Sequence, residues 1–321
     1  MRRSLRQLSL CLLLAACAKS PPSSGGGPHR LSLAVIPKGT THVFWKAVER
    51  GAREAGQELG VDVIWKGPLV ENDRAQQIQL VQQFVSQKVD GIALAPLDHA
   101  ALAGSVAQAR AAGIPVVVMD SALDGEAPRD FASTVSTDNE KGGRMAGEQL
   151  AKLLGAEGGK VVILRYLAGS ASTASREEGC LAVLRSKPGV EILVDNRYGG
   201  ATAGEAKNEA LNLADALKKA TGIFCPNESS TMGMLLALRQ LGIAGKIRFV
   251  GFDASPPLVE ALKSGEIDAL VVQDPRRMGN LAVKTLVAAI RKEKVETSID
   301  TGAVLVTKND LAKPEILRLL E

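Results

Sequence analysis

From Leu31 onward, short apolar runs alternate with longer segments in which apolar residues return every three or four positions. Leu31 to Ile36 is such a run, and His42 to Leu59 carries Phe44, Val48, Ala52 and Ala55 on one helical face. Val61 to Trp65, Gly91 to Ala95 and Val116 to Met119 predict further strands, with helices over Asp73 to Gln87 and Asp98 to Ala112 between them. The rhythm then restarts with strands over Phe131 to Ser136, Lys160 to Tyr166, Val190 to Asp195, Gly222 to Phe224, Arg248 to Gly251, Ala269 to Val272 and Ala303 to Thr307. Helical periodicity fills the gaps at Glu140 to Leu154, Ser175 to Ser186, Ala203 to Lys219, Ser229 to Leu241, Pro257 to Ser264 and Arg276 to Lys292. Near-continuous Val/Ile/Leu strands between amphipathic helices indicate an α/β protein whose parallel sheets are covered on both faces. The unit count is roughly twice what one open sheet holds, so two Rossmann-like lobes are expected. Glycines at Leu59-Gly60-Val61, Ala112-Gly113-Ile114 and Leu241-Gly242-Ile243 read as helix C-terminal caps.

The chain opens differently. Arg2, Arg3 and Arg6 precede an apolar run from Leu8 to Ala16, too short to span a bilayer and suited to a signal peptide over residues 1–16. The run ends in Leu14-Ala15-Ala16-Cys17, which resembles a bacterial lipobox and makes Cys17 the expected lipidated first residue of the mature chain. An ordinary secretory peptide with an accidental cysteine is the alternative. Residues 17–30, rich in Pro, Gly and Ser, read as a flexible tether holding the body off a membrane. The expected location is therefore extracytoplasmic.

Loss of the three leader arginines brings 39 basic and 35 acidic residues close to balance, and no basic patch with interleaved aromatics argues for nucleic acid. Cys180 and Cys225 remain in the body, either as a disulfide or as two buried thiols. Aromatics make up only 3% of residues, so any aromatic in a special place carries information.

In open α/β sheets ligands sit beyond the carboxyl ends of strands. There this chain places Lys38 to His42 followed by Phe44-Trp45, then Asp120-Ser121, Gly169 to Thr173 leading to Arg176, Pro226-Asn227-Glu228, Gly251-Phe252-Asp253 and Gln273-Asp274-Pro275. Carboxylate, amide and guanidinium groups pair with adjacent hydroxyls because each offers two acceptors or donors in one plane. A flat aromatic covers the apolar face of a sugar ring. Taken singly, Asp120 reads equally as a loop cap, Asn227 as a helix N-cap and Arg176 as a surface ion pair. Their coincidence at strand ends points to one carbohydrate-type pocket.

These residues carry a resemblance. From Leu31 to about Val306 the chain is similar to the type I periplasmic binding proteins of the ribose/galactose class, which deliver sugars to ABC transporters. The matching motifs are Phe44-Trp45 with Val48-Gly51-Ala52, Asp90-Gly91-Ile92, Gly113 to Val117, Thr137-Asp138-Asn139 with Gly142-Gly143, Ser175 to Gly179, Asn227-Glu228, Val250 to Asp253 and Gln273-Asp274-Pro275. The resemblance implies ring-stacking by Phe44 and Trp45, and hydroxyl binding by Asp120, Arg176, Asn227, Asp253 and Gln273. It also implies a three-segment hinge near Ser136-Thr137, Gln273-Asp274 and Gly302-Ala303. One lobe would then hold residues 31–136 with 274–301, and the other 137–273 with 302–321. Where ribose binders have a small polar residue stands Lys38, an Asn position is His42, the Arg after the strand-four Asp is Ser121, and the third stacking aromatic falls near Ala201 with Tyr198 as the nearby candidate. Lys38 with Arg176 would suit an anionic sugar; alternatively Lys38 offsets Asp120 or Asp253.

The implied partners are a small sugar ligand, an ABC permease and a membrane reached through the lipid, with the body a monomer. An enzyme is disfavoured: there is no G-x-G-x-x-G opening the first helix, no P-loop, no G-x-S-x-G and no metal-spaced pair among three histidines, so no cofactor or metal is expected. A transcription regulator would need a helix-turn-helix where the leader stands. A sensory protein presenting a sugar to a membrane receptor uses the same closure and stays open as an alternative.

Overall fold

The computed structural model describes residues 30–320, so the signal peptide, Cys17 and all but the last residue of the tether lie outside the described residues. The first stretch comprises β1 (Ser32–Ile36), α1 (Val43–Leu59), β2 (Asp62–Trp65), α2 (Arg74–Ser86), β3 (Gly91–Leu94), α3 (Ala103–Ala111), β4 (Val116–Met119) and β5 (Ser133–Ser136). It is followed by α4 (Asn139–Leu154), β6 (Gly159–Arg165), α5 (Ala171–Ser186), β7 (Val190–Tyr198), α6 (Ala203–Asn212), α7 (Ala214–Leu217), β8 (Gly222–Phe224) and α8 (Glu228–Gln240). Then come β9 (Arg248–Phe252), α9 (Pro256–Ser264), β10 (Ala269–Gln273), α10 (Pro275–Ile290), β11 (Ser298–Asp300), β12 (Ala303–Thr307) and α11 (Pro314–Leu320).

The strands form two six-stranded sheets with matching order, β2-β1-β3-β4-β5-β11 and β7-β6-β8-β9-β10-β12. Every pairing is parallel except that of β12 with β10. Both faces of each sheet are buried, which explains the unbroken apolar runs. In β1, Leu33 and Val35 pack toward α1 and α10, while Ala34 and Ile36 pack toward α2 and α3. In β6, Val162 and Leu164 face α6 and α8, while Val161 and Ile163 face α4 and α5.

Glycines permit the closest helix contacts. A Cβ at Gly51 would lie 1.8 Å from the Arg276 carbonyl oxygen, and one at Gly279 would lie 2.0 Å from that of Val48. The second layer repeats the device: Gly143 abuts the Arg176 carbonyl and Gly179 that of Glu140, joining α4 to α5. Conformational need is separate and clearest at Gly60, whose φ of +67° ends α1 in the left-handed region.

The chain passes from one sheet to the other after β5, after β10 and between β11 and β12. Local differences from the sequence reading have local causes. Asp98 accepts the N–H groups of Ala100 and Ala101, holding a turn where a helix was predicted, so α3 begins at Ala103. The single helix expected over Ala203 to Lys219 breaks at Leu213 into α6 and α7. β11 and α11 were not predicted.

Candidate functional site

Loops at the strand ends of both sheets surround one narrow cavity with about 30 Å³ of free space, far below the roughly 300–1,000 Å³ usual for small-molecule sites. Lys38, His42, Phe44, Trp45, Glu71 and Asp120 line it from the first sheet's side. Tyr166, Ser172, Thr173, Arg176, Asn227, Glu228, Asp253 and Gln273 line it from the second. Nine of the ten side chains expected at the site therefore converge. Ser121 does not line the cavity: it is buried behind it, where its Oγ accepts the Ser172 N–H at 3.1 Å.

Two aspartates mark equivalent positions. Asp120 follows β4 and Asp253 follows β9, with φ of +63° and +68°. Among the described residues few non-glycine positions adopt this region, which Asp tolerates better than most. Asp120 pairs with Lys38 Nζ at 2.8 Å, and Lys38 also donates to Ser172 Oγ at 2.9 Å. Of the two roles open to Lys38, its geometry is that of a counter-ion to Asp120. Asp253 accepts Gln273 Nε2 at 2.6 Å and the Glu228 N–H at 3.0 Å.

Arg176 is buried and is not a surface ion pair. Its Nε donates to Asn139 Oδ1, Nη1 to the Pro226 carbonyl and Nη2 to Gln273 Oε1, at 2.8–3.0 Å. Its guanidinium lies 4.0 Å from the centre of the Phe252 ring. Gln273 also accepts from Thr137 Oγ1 at 2.8 Å, so one amide joins the arginine, the aspartate and the chain crossing after β5. Asn227 caps α8, with Oδ1 accepting the Ser230 N–H at 3.2 Å. Phe44 and Trp45 meet edge to face, centroids 4.9 Å apart.

Sequence reasoning missed Glu71 and Tyr166. Glu71 stands 2.6 Å from His42 Nδ1, and accepts Trp45 Nε1 at 2.7 Å and the Tyr166 hydroxyl at 2.8 Å. Burial works against a charged His42, yet the hydrogen bond and charge of Glu71, with Glu228 and Asp253 nearby, push its pKa up to about 9. Burial likewise opposes a charged Glu71, but His42, Lys38 and the Trp45 N–H hold it below the usual glutamate value. Burial pushes Asp253 up despite Arg176, and Glu228 up despite His42. Tyr198, the aromatic candidate from sequence, is 47% exposed on edge strand β7 and lies off the cavity; the second sheet's aromatic is Tyr166.

Among the described residues no group of His, Cys, Asp or Glu is placed to hold a metal ion, and no helix is long and apolar enough to cross a membrane. Cys180 and Cys225 are buried free thiols, and burial pushes both pKa values up.

The order of the strands and the convergence of their ends match known proteins. A model of the periplasmic binding protein domain matches residues 33–294. The chain belongs to this family. It is 30% identical over 267 residues to the D-allose-binding periplasmic protein of Escherichia coli K12, covering 82% of this chain and 85% of the relative. It is 28% identical over 305 residues to the ribose import binding protein RbsB of Bacillus subtilis, covering 92% and 95%. A carbohydrate transporter solute-binding protein from Agrobacterium radiobacter, solved with D-arabinose, superposes with a TM-score of 0.87 at 35% identity, covering 92% of this chain and all of that one. The periplasmic component of a sugar transport system from Hahella chejuensis gives 0.83 at 37%, covering 86% and 99%. These relatives bind and carry solutes outside the cytoplasm and are not enzymes, and this periplasmic binding protein shares their two-lobed α/β fold.

Proposed function

We propose that this protein captures a neutral monosaccharide between its two lobes and delivers it to the permease of an ABC importer. The observation that carries the reading is the convergence of Asp120, Arg176, Asp253 and Gln273 from two sheets on one cavity beside Phe44 and Trp45. Relatives that bind allose, ribose and arabinose support the ligand class. In this reading the carboxylates and the amide accept sugar hydroxyls, Arg176 donates its remaining N–H groups, and the aromatics cover the ring. Asn227 contributes its amide edge, while Lys38 and His42 hold the neighbouring carboxylates in place.

A neutral sugar is favoured over an acidic one. Glu71, Asp120, Glu228 and Asp253 outnumber Lys38, His42 and Arg176 around the cavity, and Lys38 is already paired. A further buried anion would meet an excess of negative charge.

The lobes are residues 31–136 with 274–301, and 137–273 with 302–321; ligand touching both favours closure by its differential affinity. The body acts as a monomer, tethered to a membrane through lipidated Cys17. Replacing Cys17 with Ala would release the protein from the membrane fraction.

A thermal-shift screen of the soluble body from residue 29 onward tests the ligand class. A neutral aldose at a hundred times its dissociation constant should add about 2.7 kcal/mol, and uronates should add little. Tighter binding of a uronate, or no response to any monosaccharide, would overturn the reading.

A further inference from the structure

Glu71 lies in the loop between β2 and α2, belongs to no recognised motif, and is nonetheless buried. Its two oxygens are divided between the lobes. Oε1 accepts the Trp45 indole N–H at 2.7 Å and faces His42 Nδ1 at 2.6 Å, both on the first side of the cleft. Oε2 accepts the Tyr166 hydroxyl at 2.8 Å from the loop after β6, on the second side. An indole has one polar hydrogen, so the partner of Nε1 fixes the plane of the ring. A buried carboxylate persists only where donors and positive charge compensate it; here every such group also lines the cavity. The backbone is shaped to admit this side chain, since a Cβ at Gly39 would lie 2.7 Å from Glu71 Cγ.

We propose that Glu71 is the positioning residue of the ring-stacking wall and its link to closure: it sets the plane of Trp45 and, by taking the Tyr166 hydroxyl across the cleft, favours the closed form. Both oxygens are engaged by protein groups, so Glu71 acts on ligand through Trp45 and Tyr166. The inference rests on the sugar-binding reading for its ligand but not for the geometry of Trp45. The charged groups around the cluster are Lys38, His42 and Asp120 on the first side, and Arg176, Glu228 and Asp253 on the second.

The chain has two tryptophans, Trp45 and Trp65, so Trp65→Phe leaves Trp45 as the sole reporter. In that background, emission of the sugar-free protein should follow a titration near pH 9, the value for His42 beside Glu71. Glu71→Gln should change the emission maximum and move that titration down by more than about one pH unit. Tyr166→Phe keeps the ring and removes only the hydroxyl. It should speed dissociation of the tightest-binding member of a panel of D-allose, D-ribose, D-arabinose and D-fucose about tenfold, as expected for a hydrogen bond to a charged group, with association nearly unchanged. In the Glu71→Gln background, Tyr166→Phe should add little. An unmoved titration and emission in Glu71→Gln, or wild-type dissociation in Tyr166→Phe, would overturn the proposal. If none of the four sugars binds, the sugar reading is what fails, and the sugar-free emission still decides whether Glu71 holds Trp45. Circular dichroism separates either result from misfolding, and Tyr166→Phe carries the test if Glu71→Gln does not fold.

Discussion

The carboxylate of Glu228 accepts the backbone N–H of Phe44 at 3.1 Å and that of Val43 at 3.4 Å, so the first residue of α8 caps α1 from across the cleft. His42, the residue before α1, supplies no side-chain cap of its own. Helix N-termini carry partial positive charge, and two brought together repel unless an anion stands between them. Asp253 completes the series by accepting the N–H of Glu228.

Glu228→Ala should therefore weaken the closed form by about 1–2 kcal/mol, and Glu228→Gln, which keeps an acceptor, by less. Stopped-flow dissociation of bound sugar is the measurement. Equal rates in wild type and Glu228→Ala would remove the capping argument.

The two sides also meet at a second place, away from the cavity lining. The His99 N–H donates to the Gly169 carbonyl at 3.1 Å, and a Cβ at Gly169 would lie 2.3 Å from Asp98 Oδ2. Gly169→Ala should lower sugar affinity by about tenfold, or 1.4 kcal/mol, because the methyl group meets Asp98 only when the lobes close. The strain of alanine at a φ of +89° acts in open and closed forms alike. Adding Asp98→Ala should accordingly restore affinity without restoring thermal stability, a coupling that titration calorimetry on the four proteins of the cycle would reveal.

Stability should depend on pH through His42. Its folded pKa, about 9, lies above the unfolded 6.5, so the stabilisation is complete below pH 6.5 and fades as pH rises through 9. Glu71, held below its ordinary value, acts in the opposite direction and is lost only in acid. Urea midpoints between pH 6 and 10 should fall for wild type and fall less for His42→Gln. Parallel curves would mean that His42 does not titrate as the geometry requires.

Gly51→Ala tests the contact between α1 and α10. With its Cβ only 1.8 Å from a carbonyl oxygen, the helices must separate, and a loss of about 1–3 kcal/mol is expected from overpacking. Gly60→Ala, where a Cβ meets nothing within 4 Å, should show only the smaller backbone strain. Denaturant midpoints of the two variants distinguish a steric origin from a conformational one.

Much of this architecture was legible in sequence because sheets covered on both faces demand apolar runs such as Val116 to Met119. Asp120 and Asp253 were legible for a related reason, since each stands directly after such a run. β11 was not: Ser298-Ile299-Asp300 has no apolar pattern, and only pairing with β5 makes it a strand. Glu71 was equally hidden in an aperiodic loop, its role created by His42 and Trp45 at the start of α1 and Tyr166 after β6, two other segments of the chain. Tyr166 itself was visible as the end of a predicted strand, but nothing local showed that its hydroxyl would reach the opposite lobe.

The seating of α10 on α1 has a consequence for the order of events in the cell. Arg276 and Glu54, which clasp across this contact through two hydrogen bonds of 2.7 and 2.8 Å, are 222 positions apart. The layer the ribosome makes first thus lacks one of its helices and its last strand until translation is nearly complete. Such long-range pairing is slow to form, so the first layer stays incomplete, and its cleft wall unset, through most of synthesis.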